Sequence, residues 1–268
     1  MKILILGDVM GASGREAIDK KLPDIIKKNK INFVIVNGEN AADDGKGITK
    51  DIAERFFENG VDVITSGNHI WDKQETTSYI DLENRLLRPS NLAEGSPGKG
   101  YEVYFTKDKK FKIGVINLMG NVFMRKTEDV FQEAKKISKK MVLKKDVDFI
   151  VVDFHGEITS EKMAIGHFFD GQVTCVVGTH THVPTADTRV LDNGTAYQTD
   201  IGMCGDYNSV IGMNKENSIK RFLKDKDAVK HFPAIGEGTL SGIIVETNTG
   251  TGLAKSVVRL IDGGSLIK

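Results

Sequence analysis

The chain has 268 residues, and 37 Lys+Arg balance 37 Asp+Glu to a formal net charge of zero. That length buries a substantial core without staples, while the neutral balance gives no basic bias of the kind that recruits nucleic acid. No apolar run approaches the roughly 18 residues that cross a bilayer, and the opening "MKILILGD" is too short for a signal peptide, so a cytoplasmic protein is expected.

"KILILG" reads as a short buried strand, and "GASGREAIDKKLPDIIKKNK" has helical spacing with Ser13 as its N-cap. "INFVIVNGEN" is a second strand, "ITKDIAERFFENG" a helix ending at Gly60, and "VDVITSGNH" a third strand. This alternation implies a mostly parallel sheet covered by helices. "FKIGVINL" follows, then a lysine-rich helix around residues 128–145, "VDFIVVDFHGE", a helix around 157–170, and "QVTCVVGTHTH". The lysine runs recur at helical spacing, as solvated helix faces do. Cys175 and Cys204 sit in separate segments without metal-ligand spacing, a usage that fits a reducing compartment. The last third changes character. "TRVLDNGTAYQTDIG" places Asn193-Gly194 between two strand-like runs, a hairpin signal, and "GTLSGIIVETNTGTGLAKSVVRLI" reads as strands around a turn. One domain over residues 1–268, with two sheets, is the expected organisation.

Polar residues gather directly after the apolar strands: Asp8 after "ILILG", Glu39-Asn40 after "FVIVNG", Asn68-His69 after "DVITSG", His155 after "FIVVDF", and His180 and His182 after "TCVVG". The crevice beyond the carboxyl ends of strands is where open α/β sheets bind ligands. One such residue is ordinary turn chemistry; five strand ends carrying four of the six histidines are not. If extended geometry persists past Thr179, His180 and His182 project to the same side. Carboxylate, amide and imidazole without thiolate suit Mn, Fe, Zn, Co or Ni, and the ligand count exceeds one tetrahedral site. Two metals sharing a carboxylate fit it better.

In this order, "GDV", "NGEN", "SGNHIWD", "FHGE" and "GTHTHVPTAD" resemble the signature of the calcineurin-like metallophosphoesterases. The chain is similar in particular to their bacterial YmdB-type branch of cyclic-nucleotide phosphodiesterases, through "AYQTDIGMCG" and "NSVIGM". Two departures from the wider superfamily are shared with that branch. The Asp-x-His motif lacks its histidine, Asp8 being followed by Val9 and Met10, and the usual bridging aspartate is Glu39. The resemblance implies a four-layer α/β/β/α sandwich of two mixed sheets. It also implies that Asp8, Asn40 and His182 hold one divalent ion, that Asn68, His155 and His180 hold the other, and that Glu39 bridges them. His69 stays off the metals and protonates the leaving group. Iron or manganese is expected first, with zinc also accommodated.

The reaction so implied is phosphodiester hydrolysis by a metal-activated hydroxide. Its substrate is a small cyclic nucleotide of the 2′,3′ type, with neither membrane nor nucleic acid as partner; a homo-oligomer stays open. The alternatives are a phosphomonoesterase or another phosphodiesterase on the same site, or a regulatory protein with a metal site. Asp72 reads as a turn or support residue, Asp187 as an open candidate for the partner of a ligating imidazole, and His167 and His231 as incidental.

Overall fold

Both faces of the first strand are apolar, and both are covered. In the computed structural model, which describes residues 1–266, β1 (Lys2–Leu6) packs Leu4 and Leu6 with Ala17, Ile18 and Leu22. Ile3 and Ile5 point the other way, into a cluster with Ile113, Val115, Phe149 and Val151. Alternation along one strand thus serves two cores. The chain continues through β2 (Asp8–Val9), α1 (Gly11–Asn29), β3 (Phe33–Asn37), α2 (Lys50–Glu58), β4 (Val63–Thr65) and α3 (Gln74–Tyr79). β1, β3 and β4 pair in parallel, with α1 and α2 as crossovers. Ser13 is not the cap of α1. Met10 precedes the helix, and Ser13 lies within it, its hydroxyl donating to the Gly236 carbonyl. Thr49 does cap α2, accepting from the Ile52 N–H at 3.3 Å.

The second sheet begins at β5 (Tyr101–Phe105) and β6 (Lys112–Met119), followed by α4 (Val130–Lys140), β7 (Phe149–His155), α5 (Thr159–Phe168) and β8 (Cys175–Thr179). β9 (Arg189–Val190) and β10 (Ala196–Gln198) form the hairpin around Asn193-Gly194, which turns at Gly194 with φ +99°. The sheet order is β5-β6-β7-β8-β10-β9, with β6, β7, β8 and β10 parallel. Its outer face packs Ile116, Ile150 and Val176 against Val130 and Ile137 of α4 and Ile165 of α5.

After β11 (Met203–Cys204), paired with β2, and α6 (Lys215–Phe222), the chain returns through β12 (Leu240–Thr247) and β13 (Ala254–Asp262). β12 lies antiparallel beside β1, so the first sheet reads β13-β12-β1-β3-β4. The two late hairpins therefore complete different sheets. Where the sheets meet, Asp153 of β7 accepts from Asn37 Nδ2 (3.0 Å) and Thr65 Oγ1 (2.5 Å) of the first sheet and from Thr179 Oγ1 (2.8 Å) of its own. This buried carboxylate aligns the carboxyl ends of both sets of parallel strands.

Candidate metal centre

Every polar strand end singled out in the sequence comes to this junction. His155 closes β7 fully buried. Its Nε2 lies 3.0 Å from Glu39 Oε1, 3.0 Å from His180 Nδ1 and 3.2 Å from Asn68 Oδ1. Glu39, His155 and His180 each bring a ligand atom within 4.8 Å of the others. Beside them, His182 Nε2 is 3.2 Å from Asn40 Oδ1. Asp8, also fully buried, accepts from the His180 N–H at 3.0 Å through Oδ2, while its Oδ1 has no hydrogen-bond partner. Among the described residues no hydrogen bond joins Asp8 to Asn40 or His182. Its orphaned oxygen lies 3.6 Å from His155 Nδ1.

The three buried or half-buried imidazoles share one arrangement. His155 Nδ1 donates to Thr179 Oγ1 at 2.9 Å, because that hydroxyl's own proton goes to Asp153. His182 Nδ1 donates to the Ile211 carbonyl at 2.8 Å, and His180 Nε2 to Glu157 at 3.1 Å. Each ring is thus fixed by an acceptor on one nitrogen and turns the other inward, as metal-ligating histidines do. Gly67 completes the cradle. A Cβ there would sit 2.2 Å from His155 Cδ2 and 2.3 Å from Glu39 Oε2. The donor set of oxygen and imidazole nitrogen, the orphaned Asp8 oxygen and this close backbone approach all fit divalent cations.

Electrostatics point the same way. Burial would raise the Glu39 carboxyl, but the His155 imidazole beside it, with His69 and His180, holds it down at about 2. Burial opposes charge on His155 as well, yet Glu39, Asp8 and Asp153 push it up to about 9. Asp8 is raised to about 6 by burial and by Glu39, against the pull of His182 and His155. His180 is lowered to about 3 by burial and the neighbouring His155 charge. A buried group of two carboxylates and three imidazoles calls for positive charge at its middle.

His69 stands at the edge of this cluster. Its N–H donates to Glu39 Oε2 (3.2 Å), and its Nδ1 lies 2.7 Å from Asp72 Oδ2. With Lys46, Glu157 and Ile211 it lines a cleft of about 290 Å³ over the cluster. A larger concavity of about 800 Å³ lies elsewhere, but its Lys99 and Lys136 are paired with Glu102 and Glu133, and the Arg88 guanidinium is spent on backbone carbonyls.

β8 ends at Thr179, and His180 (φ +96°) and His182 (φ +65°) both take left-handed backbone. The extended geometry expected for this pair stops at the strand end, and the two rings part, one to His155 and one to Asn40. Asp187 binds Thr185, Thr199 and Arg189 rather than a clustered imidazole, so the candidate support role falls to other residues. Asp153 and Thr179 serve His155, Glu157 serves His180, and the Ile211 carbonyl serves His182. A lone acid in the apolar run "FIVVDFH" was the available signal for Asp153; a backbone carbonyl leaves none. His167 and His231 are exposed and apart from the cluster.

Two sheets of mixed α/β type with polar strand ends gathered at one junction define a class. A solved 5′-nucleotidase from Candida albicans SC5314 shares this fold at TM-score 0.55 and 14% identity, over 97% of this chain and 50% of that one. The particular family follows from closer matches. Residues 4–260 match the model of the family described as YmdB-like protein, and the chain belongs to that family. It is 43% identical to the 2′,3′-cyclic-nucleotide 2′-phosphodiesterase of Bacillus subtilis (strain 168), over 97% of both chains. A crystal structure described as a novel phosphatase from Mycoplasma pneumoniae superposes at TM-score 0.88 with 37% identity, covering 98% of this chain and 94% of the other.

Proposed function

We propose that the chain hydrolyses phosphodiesters with two divalent ions, and that its substrates are 2′,3′-cyclic nucleotides, opened to nucleoside monophosphates. It is a phosphoric-ester hydrolase, as its relatives are named. The observation that carries the metal reading is the set of three imidazoles, each fixed on one nitrogen and turned inward with the other. Asn68, His155 and His180 would hold one ion, Asp8, Asn40 and His182 the other, with Glu39 to both; iron or manganese suits these donors. When bound, such ions supply Lewis acidity to phosphoryl oxygens and make hydroxide available near pH 7.

The remaining work falls to the chain's own groups. Asp72 on Nδ1 fixes the His69 ring and leaves Nε2 for the substrate, where a proton can pass to the departing ribose oxygen. Lys46, at the cleft wall, offers a cation to the anionic substrate. The reading also takes residues 1–268 as one cytoplasmic domain layered helix–sheet–sheet–helix; the three successive apolar clusters support that order.

The test is metal analysis of the purified protein, coupled to turnover of 2′,3′- and 3′,5′-cyclic nucleotides and of mono- and bis-aryl phosphates. Metal-dependent opening of the 2′,3′-cyclic nucleotides is expected. His69→Ala should cut that rate about a hundredfold or more, while sparing a bis-aryl ester, whose leaving group needs no proton. Preference for the mono-aryl phosphate would show a phosphomonoesterase instead.

A further inference from the structure

A lysine and an aspartate are buried together behind the "THTH" turn, and no step above uses them. Lys162 of α5 and Asp200 are each 1% exposed, with Nζ 2.6 Å from Oδ2. The same Oδ2 accepts from both donors of Thr181, the N–H at 3.1 Å and Oγ1 at 2.6 Å. Its Oδ1 accepts from the Gly202 N–H at 2.8 Å. The backbone of Asp200 is held in turn, its carbonyl by Gln198 Nε2 at 2.7 Å and its N–H by Thr185 Oγ1 at 3.0 Å.

Thr181 is the residue between the two histidines. Left-handed backbone is disfavoured for a β-carbon-bearing residue and persists only where the surroundings impose it. Here it occurs on both sides of Thr181, at His180 and His182. A carboxylate that takes both Thr181 donors pins the middle of that turn and so sets the direction of both flanking rings. The lysine pairs with this carboxylate in an apolar interior, where a charge left without a partner is costly. Gly178 makes the route possible, because a Cβ there would lie 2.9 Å from Lys162 Cδ and 1.8 Å from the Thr199 carbonyl oxygen. Lys162 also follows His155 by one short connection and the first turn of α5, which ties the β7 end to the β8 turn.

We infer that Asp200, neutralised by Lys162, is a positioning residue that fixes His180 and His182 through Thr181, so that one turn serves two ions at once. The inference rests on the two-ion reading above and deepens it. A buried ion pair that merely stabilised the fold would have no need to meet both donors of the residue between two ligands. Because the clamp acts on the turn as a whole, its loss should weaken both ions together rather than one of them.

Thr181→Val tests it with least disturbance, since it removes the hydroxyl and keeps the branched shape; Thr181→Ser keeps the hydroxyl. Chelated wild type and both variants are titrated with Mn²⁺, and the melting of each metal-free form is recorded. Thr181→Val should bind both ions about tenfold or more weakly with a metal-free melting temperature close to wild type, and Thr181→Ser should restore wild-type affinity. Wild-type affinity in Thr181→Val overturns the clamp alone. So does a loss of affinity that only follows an equal loss of metal-free stability in both variants. A wild-type chain that takes up no Mn²⁺ overturns the metal centre itself, and the clamp with it.

Discussion

At His155 a single imidazole faces Glu39, Asp8 and Asp153, and without a cation it answers their charge by holding a proton up to about pH 9. Ligation needs the neutral ring, so metal uptake must expel that proton. Asp8, raised to about 6, must give up a second one at lower pH. The apparent Mn²⁺ affinity should therefore rise by up to tenfold per pH unit between about 6 and 9, and more steeply below 6. Titration calorimetry in buffers of different ionisation enthalpy measures the released protons directly. The metal-free chain should show the opposite trend in stability. A histidine raised from 6.5 to about 9 on folding contributes stability that is complete below 6.5 and lost as pH climbs through 9. Uptake without proton release would mean that these groups are not ligands.

Among elements, the strands were the most legible part of the chain. Apolar runs bounded by polar residues marked β1, β3, β4 and β6 to β8, and the residues at or just past the ends of five of them form the cluster. Asn193-Gly194 gave the β9–β10 hairpin by turn chemistry alone. The partner of a strand is a different matter, since periodicity says nothing of which edge a late hairpin joins; β12 beside β1 is long-range information. The short α3 and α6 were missed, as was β5, because α3 buries only Thr76 and β5 is no more than half-buried, leaving little pattern to read. The left-handed turn at His180 and His182 was also hidden, because neither residue is a glycine and the force behind it is Asp200, eighteen or more positions away. Gly67, by contrast, lies in "SGNH" and has a plain physical meaning. The loop after β4 passes so near His155 and Glu39 that a methyl group there would overlap both. Gly67→Ala should fold but retain less than a tenth of wild-type Mn²⁺ affinity, an outer-contact loss of the usual size. Full metal retention after dialysis would show that the loop can yield.

On the scale of the whole molecule, the proposed ligands are split between the sheets. Asp8, Glu39, Asn40 and Asn68 follow strands of the first, whereas His155, His180 and His182 end or follow strands of the second. The sheets share one apolar cluster and the Asp153 hub, so neither half alone would supply the proposed ligand set. A ligand that binds only the assembled state stabilises everything needed to assemble it, by about 2.7 kcal/mol at a free concentration a hundred times its Kd. With two such sites, Mn²⁺ at that level should move the entire unfolding transition by about twice this amount rather than protect one sheet. The single tryptophan, Trp71, lies two residues from His69 and reports on the first sheet's end, while far-UV circular dichroism reports on both. In urea the two signals should shift together and remain superimposable. A tryptophan transition that moves with metal while the bulk of the secondary structure melts at its metal-free midpoint would mean that the centre belongs to one sheet. Superimposable transitions that both move would tie the fold of residues on either side of the junction to one shared metal centre.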